Sequence, residues 1–341
     1  MFNLNSHLRG LGLALVAGGM LSMGASAQGS ASAPAADSLT PVEASHTYIK
    51  PGFFKQMDVA VSLGTTGIGL DLSTNLSEHF RLRAGVDYTP EFKVPMHFEL
   101  ESYSESGVLS HDFTKLQSMM KRLTGIDVDD RVDMEGRPTM TNFKLLVDYF
   151  PWADKGWHFT AGFYWGKSRI AKAINTMGDM PSLLAVNLYN HMYDYFMTTD
   201  FFDTPIYKDY YLDPFLVEDL RADLEEQGTV GIHVGDYKDG TPYLMQPDAD
   251  GMVKANAYVN AFKPYLGAGY GTELTKDGRF KFEVDGGVLF WGGTPEIITH
   301  DGVNMSRDLE HIKGKVGDYV DIIKTFKVYP MLSVRFSYTI F

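Results

Sequence analysis

Charged side chains recur at every second position in several segments of this 341-residue chain. Arg81, Arg83 and Asp87 share one parity, and residues between them are mostly apolar. Successive side chains of a strand point to opposite faces, so such charges would line one face together. Their signs nearly balance, which predicts a network of ion pairs filling an interior, with a path for protons, ions or small solutes as the alternative. The predicted set is Asp58, Asp71, Arg81, Arg83, Asp87, Lys144, Asp148, Lys281, Glu283, Asp285 and Arg335.

A second group of candidate residues is aromatic. Between residues 189 and 215, tyrosine and phenylalanine are interleaved with aspartate. Tyrosine supplies contact area at low entropic cost, so this density is compatible with a surface that recognises carbohydrate or a protein partner. The alternative is the small core of a long loop. The residues predicted for surface recognition are Tyr189, Tyr193, Tyr195, Tyr207, Tyr210 and Tyr211.

Motifs for metal binding and catalysis are weak. Two acidic clusters, within 127–135 and 248–251, offer the hard oxygen ligands that calcium prefers. Neither has the twelve-residue calcium-loop spacing, so solvated acidic turns are the favoured interpretation. The chain has no cysteine, no HExxH and no GxSxG. We therefore predict no catalytic residues, no metal, no cofactor and no enzymatic activity.

The N-terminus is typical of an exported bacterial protein. Arg9, a short apolar stretch and Ala25-Ser26-Ala27 predict a cleaved signal peptide over 1–27. Residues 28–50 are rich in small residues and proline and predict a disordered leader, leaving 51–341 as one domain. The formal net charge of -13 argues against a nucleic-acid partner.

Eight segments alternate with period two, which predicts strands with one apolar and one polar face. The connections between these segments are short on one side of the predicted sheet, at 75–79, 151–156 and 272–278. On the opposite side they are long, at 89–138, 167–259 and 292–327, except for the tight first hairpin, which is short. A soluble sandwich also alternates, but this asymmetry favours an all-β, up-and-down antiparallel transmembrane β-barrel of about eight strands. The segments are 58–63, 68–76, 80–88, 143–150, 158–165, 263–270, 280–290 and 332–340.

The long connections predict structure of their own. Apolar residues from Phe113 to Leu123 follow helical spacing after a candidate cap, Asp112. Residues 213–226 also predict a helix, and 231–245 predict a hairpin turning at 238–240. Aromatic residues near the predicted strand ends fit the headgroup level of a membrane: Tyr88, Tyr149, Trp157, Trp165, Tyr270, Phe290 and Tyr338.

Segments 263–271, 282–292 and 328–330, with the early segments 67–71 and 148–151, resemble a family of uncharacterised outer-membrane barrel proteins of the Bacteroidetes type, small barrels similar to OmpA. The resemblance implies an eight-stranded barrel in the bacterial outer membrane and no known activity. Expected partners are outer-membrane lipid, the barrel-assembly machinery and an extracellular glycan or protein ligand. We expect a structural or surface-binding role. The alternatives are an enzyme acting on lipid or peptide at the outer rim and a small-solute channel.

Overall fold

The computed structural model describes residues 54–110, 113–152, 156–200, 208–312 and 327–341. The predicted signal peptide and leader lie outside these residues, as do Asp112 and Tyr207. None of the described helices is both long and apolar enough to cross a membrane.

Eight strands form a closed antiparallel barrel in which each strand pairs with the next barrel strand along the chain, and the last pairs with the first. This is the up-and-down topology predicted above, and its closure leaves no sheet edge unpaired. Numbered along the whole chain, the barrel strands are β1 (Met57–Gly64), β2 (Gly67–Asn75), β3 (Phe80–Tyr88), β7 (Thr141–Tyr149), β8 (Trp157–Gly166), β13 (Phe262–Glu273), β14 (Phe280–Phe290) and β17 (Val328–Thr339).

The two faces of the barrel strands differ in chemistry. In β3, Arg81, Arg83 and Asp87 are buried in the lumen, whereas Phe80 and Val86 are exposed on the outside. No outward position of the eight barrel strands carries a charged residue. Rings also meet around the outside at the end of the barrel where β1 begins and β17 ends. There the ring centroids of Phe80–Tyr149, Trp157–Tyr270 and Phe280–Tyr338 lie 5.2, 5.1 and 4.9 Å apart.

The three long connections form a second sheet. Several of its strands follow a barrel strand directly or lead into one, so the sheet extends part of the barrel wall. It begins beyond a ring of exposed aromatic residues at this end of the barrel, which we call the outer aromatic girdle: Tyr88, Phe143, Trp165, Phe262 and Phe290. The additional strands are β4 (Val94–Tyr103), β5 (Leu109–Ser110), β6 (Arg131–Pro138), β9 (Arg169–Asn175), β10 (Thr229–Tyr237), β11 (Pro242–Met245), β12 (Lys254–Tyr258), β15 (Glu296–Thr299) and β16 (Leu309–Glu310).

Three helices accompany this sheet: α1 (Thr114–Thr124), α2 (Met180–Thr198) and α3 (Pro214–Gln227). The buried side chains of α1 and α2 join those of β4, β6 and β10 in one hydrophobic core. We call this unit the cap. On β6, the core residues Val132 and Met134 share the even parity of the lumen positions of β7, so the cap core continues the inner face of the barrel wall beyond the barrel.

The predicted strands agree with the structure to within a few residues, and the intervals 80–88 and 280–290 are unchanged. The predicted hairpin is formed by β10 and β11, and the second predicted helix is α3, which Asp213 caps by accepting a hydrogen bond from the Phe215 amide. The N-cap position of α1 is Phe113, without a side-chain hydrogen bond, and the candidate cap Asp112 lies outside the described residues.

Candidate functional site

The lumen holds a buried ion-pair network in the half where β1 begins and β17 ends. Asp148 is 0% exposed and accepts a hydrogen bond from Nε of Arg81 at 2.8 Å, and its carboxylate oxygens lie 2.8 Å from Nη2 of Arg81 and 2.8 Å from Nη2 of Arg83. Arg81 also binds Glu283 Oε1 at 2.7 Å through Nη1, and Arg83 binds Asp285 Oδ2 at 3.1 Å. Each arginine thus bridges two carboxylates. Buried charged side chains need such pairing, because an unpaired ion in a dry interior strongly destabilises the fold.

A second ion cluster lies nearer the cap. Lys144 Nζ lies 2.8 Å from Asp71 Oδ1 and 2.7 Å from Asp87 Oδ1. Thr66 donates to the other oxygen of Asp87 at 2.9 Å. A Cβ added to Gly69 would collide with the Asp87 carboxylate and with Ser62, so glycine provides the space that this cluster needs.

An apolar layer completes the filling of the lumen. Tyr164 and Tyr265 meet edge to face with centroids 5.7 Å apart. Leu146, Leu289 and Met331 pack with them, and all five side chains are buried. The charged and apolar layers together leave the lumen occupied by side chains rather than open, which is common for barrels of eight strands.

The structure places every predicted lumen residue inside the barrel and adds two that the prediction omitted, His158 and Lys263. His158 Nε2 lies 2.8 Å from Asp285 Oδ1, and Lys263 donates to Asn142 Oδ1 at 3.0 Å. Both residues lie at every-second-residue spacing from the other lumen positions on their strands. The period-two pattern of the sequence could therefore have assigned them to the lumen. The lumen then buries as many cations as carboxylates: Arg81, Arg83, Lys144, Lys263, Lys281 and Arg335 against Asp58, Asp71, Asp87, Asp148, Glu283 and Asp285.

The tyrosines predicted for surface recognition separate into two groups. Tyr189 and Tyr193 are 0% and 5% exposed, because they lie on the core face of α2. The Tyr189 hydroxyl donates to the Gly228 carbonyl at 3.0 Å, and burial raises its pKa. These two residues support the cap and are corrected from surface to core. Tyr195, Tyr210 and Tyr211 are more than half exposed.

A cleft of about 450 Å³ opens in the cap between β4, β10, β11 and the turn after β15. Tyr237 and Tyr243 meet there edge to face at 5.5 Å. The Tyr243 hydroxyl lies 2.7 Å from both oxygens of Asp301, and Thr299 donates to Asp301 Oδ1 at 2.5 Å. The lining residues are Tyr103, Thr229, Tyr237, Pro242, Tyr243, Leu244, Gln246, Pro247, His300 and Asp301.

The chemistry of the cleft is aromatic and hydrogen-bonding. Burial raises the pKa of Tyr243 above its usual value and the hydrogen bond to the Asp301 carboxylate raises it further, so the phenol stays protonated and donates. Burial likewise raises the pKa of Tyr237. Carboxylate, amide and imidazole groups at the same cleft can accept or donate hydrogen bonds to a ligand rich in hydroxyls.

The sequence did not indicate this cleft, because its walls come from three separate connections. One signal existed: Tyr237 and Tyr243 flank the predicted turn of the β10–β11 hairpin, which places them close together. No sequence pattern links them to Asp301.

The two acidic clusters are engaged with neighbouring groups. Asp133 lies 2.6 Å from His97, and Glu135 binds both Lys93 and Arg137. Asp248 accepts from the backbone amides of its own turn and pairs with Lys254 at 2.7 Å. Among the described residues, no group of three or more His, Asp or Glu side chains is arranged to hold a metal ion.

No family model and no curated protein matches the chain. Two crystal structures from Acinetobacter baumannii show limited similarity. CarO2 has a TM-score of 0.35 at 13% identity, covering 83% of this chain and 98% of that one. CarO has a TM-score of 0.35 at 13% identity, covering 82% and 96%. The function is therefore inferred from the geometry of this chain itself.

Proposed function

We propose that this chain is an outer-membrane barrel that does not conduct solutes and that presents its cap as a binding surface outside the cell. One observation supports the location above all others. The outward faces of the eight barrel strands are free of charge and end in aromatic rings, whereas the charges of the same strands, except the half-buried Glu273 at the end of β13, are buried in the lumen. Apolar surface of this extent is unfavourable in water and favourable in a bilayer.

The start of β1, the end of β17 and three of the four short connections between barrel strands lie at one end of the barrel, and the tight β1–β2 turn and the cap lie at the other. In outer-membrane barrels the short turns face the periplasm. The cap then faces outward, and export by the predicted signal peptide and insertion by the barrel-assembly machinery would deliver the chain there.

The cap cleft is the binding site that we propose, and its ligand class is carbohydrate. Tyr103 and Tyr237 supply partly exposed aromatic surface, Tyr243 is a buried residue of the lining, and Asp301, His300 and Gln246 supply hydrogen-bonding groups. This combination suits a ring with apolar faces and a hydroxyl rim. The cleft volume of about 450 Å³ falls within the usual range for small-ligand sites.

A glycan array probed with the purified, detergent-solubilised protein tests the cleft. Asp301→Asn, which removes the charge but keeps the shape, should weaken binding by about tenfold, because a hydrogen bond to a charged group is lost. Asp250→Asn is the matched control, since Asp250 is an exposed carboxylate of the cap outside the cleft. Equal binding by wild type and Asp301→Asn would contradict the cleft assignment.

Localisation is tested separately by cell fractionation and by gel mobility with and without heating. We expect the folded chain in the outer-membrane fraction, requiring detergent for release. Recovery in the soluble periplasmic fraction would contradict the membrane location. Assays of lipid and peptide hydrolysis on the same material test the enzymatic alternative, and turnover there would replace the binding role.

A further inference from the structure

Basic residues are concentrated at one place on the outside of the cap wall. Lys93 precedes β4, Arg137 lies in β6, and Lys172 lies in β9. Their side chains are 63%, 29% and 32% exposed. Lys167 and Arg169, both exposed, lie at the junction of β8 and β9. For a chain with a net charge of -13, this is a marked local excess of positive charge.

The strand register brings two of these cations together. Arg137 and Lys172 are direct partners across the β6–β9 pair. Like charges in directly opposite positions are destabilising unless an anion lies between them. The outward position of Arg137 follows from parity, because Val132 and Met134 of the same strand enter the cap core.

The carboxylates nearby offset only part of this charge. Glu135 receives Lys93 Nζ at 2.7 Å and Arg137 Nη2 at 2.6 Å, and those two cations lower its pKa. Glu91 lies 3.8 Å from Lys172 Nζ. Lys93, Arg137 and Lys172 thus share two carboxylates, and the exposed Lys167 and Arg169 precede Lys172 by only a few residues, so the cluster keeps a net positive charge that an anionic ligand would offset.

The position of the cluster relative to the proposed membrane identifies the anion. Tyr88 and Trp165 belong to the outer aromatic girdle, and Lys93 and Arg169 follow them by only a few residues. Phe92, beside Lys93, is 51% exposed and could enter the interfacial region. The cluster therefore lies at headgroup height, where basic side chains bind lipid phosphates.

Resting on the outer-membrane location proposed above, we infer that Lys93, Arg137, Lys172, Lys167 and Arg169 form a binding site for a phosphorylated glycolipid of the outer leaflet. Arginine matches the planar oxygens of a phosphate with two donors, and the lysines add point charges around it. The site lies on one side of the barrel, the side of β4, β6 and β9, so a bound lipid would be held at a defined place on the wall.

Native mass spectrometry of the detergent-solubilised full-length protein, titrated with bisphosphorylated lipid A, tests this site. The variant Lys93→Gln/Arg137→Gln/Lys172→Gln should bind at least about tenfold more weakly, since charge-assisted contacts are removed. The matched control is Lys115→Gln/Lys121→Gln/Arg122→Gln, which removes the same charge from the exposed face of α1. Heat-dependent gel mobility verifies that both variants are folded.

Monophosphorylated lipid A should bind more weakly than the bisphosphorylated form, and excess inorganic phosphate should not compete. Wild-type affinity in the cluster variant, or an equal loss in the α1 control, would overturn the site. Competition by inorganic phosphate would show that the site binds free phosphate and not the lipid. Fractionation of the wild type reports independently on the outer-membrane location, so failure of that proposal is distinguishable from failure of the lipid site.

Discussion

Arg83 shows how a single buried charge is retained in the lumen. It joins Asp148 to Asp285 and also donates to Thr160 at 3.2 Å. Arg83→Gln removes one charge and leaves two carboxylates short of a partner. We expect a loss of about 3–5 kcal/mol in the free energy of unfolding. Urea titration in detergent micelles measures it.

Arg122→Gln on α1 is the control for that change, because Arg122 is exposed and its loss should alter the unfolding free energy by less than about 0.5 kcal/mol. The charge network has a structural role only if Arg83→Gln unfolds more easily while its planar-bilayer current stays absent. Unchanged stability together with a new current would instead assign Arg83 to a solute path.

Tyr243 provides a residue-scale test of the cleft by pH. The Asp301 carboxylate contributes to the raised pKa of the Tyr243 phenol by disfavouring a second negative charge. In Asp301→Asn that contribution is lost, so the Tyr243 pKa should fall relative to wild type while burial keeps it above the usual value. NMR titration of ring-labelled tyrosine measures the shift. Tyr189, which is buried outside the cleft, serves as the internal reference and should not move.

At the scale of elements, the barrel strands follow from period-two alternation because each strand has a lipid-facing and a lumen-facing side along its whole length. Helix α2 had no comparable signal. Its core face carries Leu183, Val186 and Tyr189, but Leu184 and Leu188 are exposed apolar residues of the same helix. Apolar residues thus lie all around α2, and no 3.6-residue stripe separates it from an aromatic loop.

The cap sheet was only partly predictable for a different reason. The hairpin β10–β11 is local and was predicted, whereas β4 pairs with β10 across more than a hundred residues, Thr229 opposite Tyr103. Local patterning carries no information about such a partner. The cap cleft and the basic cluster both depend on these nonlocal pairings, which is why residues such as Asp301 and Lys172 could not be assigned a role in advance.

The cap and the barrel have separate hydrophobic clusters, which predicts that the cap can be loosened alone. Leu183 is 0% exposed in the cap core. Leu183→Ala should destabilise the cap by about 2–5 kcal/mol through the cavity it leaves. Limited proteolysis should then cut within the cap faster, while the heat-dependent gel mobility of the barrel is retained. Leu184→Ala, on the same helix and 39% exposed, is the control. Loss of barrel folding in Leu183→Ala would show that the two clusters fold as one unit.

At the scale of the whole molecule, two layers block the lumen in series. The Arg81–Asp148–Arg83 network fills the half where β1 begins and β17 ends, and Tyr164 and Tyr265 belong to the apolar layer beyond it. Conduction needs a continuous polar path, so removing one layer should leave the other as a barrier. The wild type and the double variant Tyr164→Ala/Tyr265→Ala should therefore both lack single-channel current in planar bilayers. Flotation of the reconstituted vesicles verifies that each protein has inserted. Discrete channel openings in the double variant alone would show that the tyrosine layer is the sole barrier and that the charged layer already admits solutes.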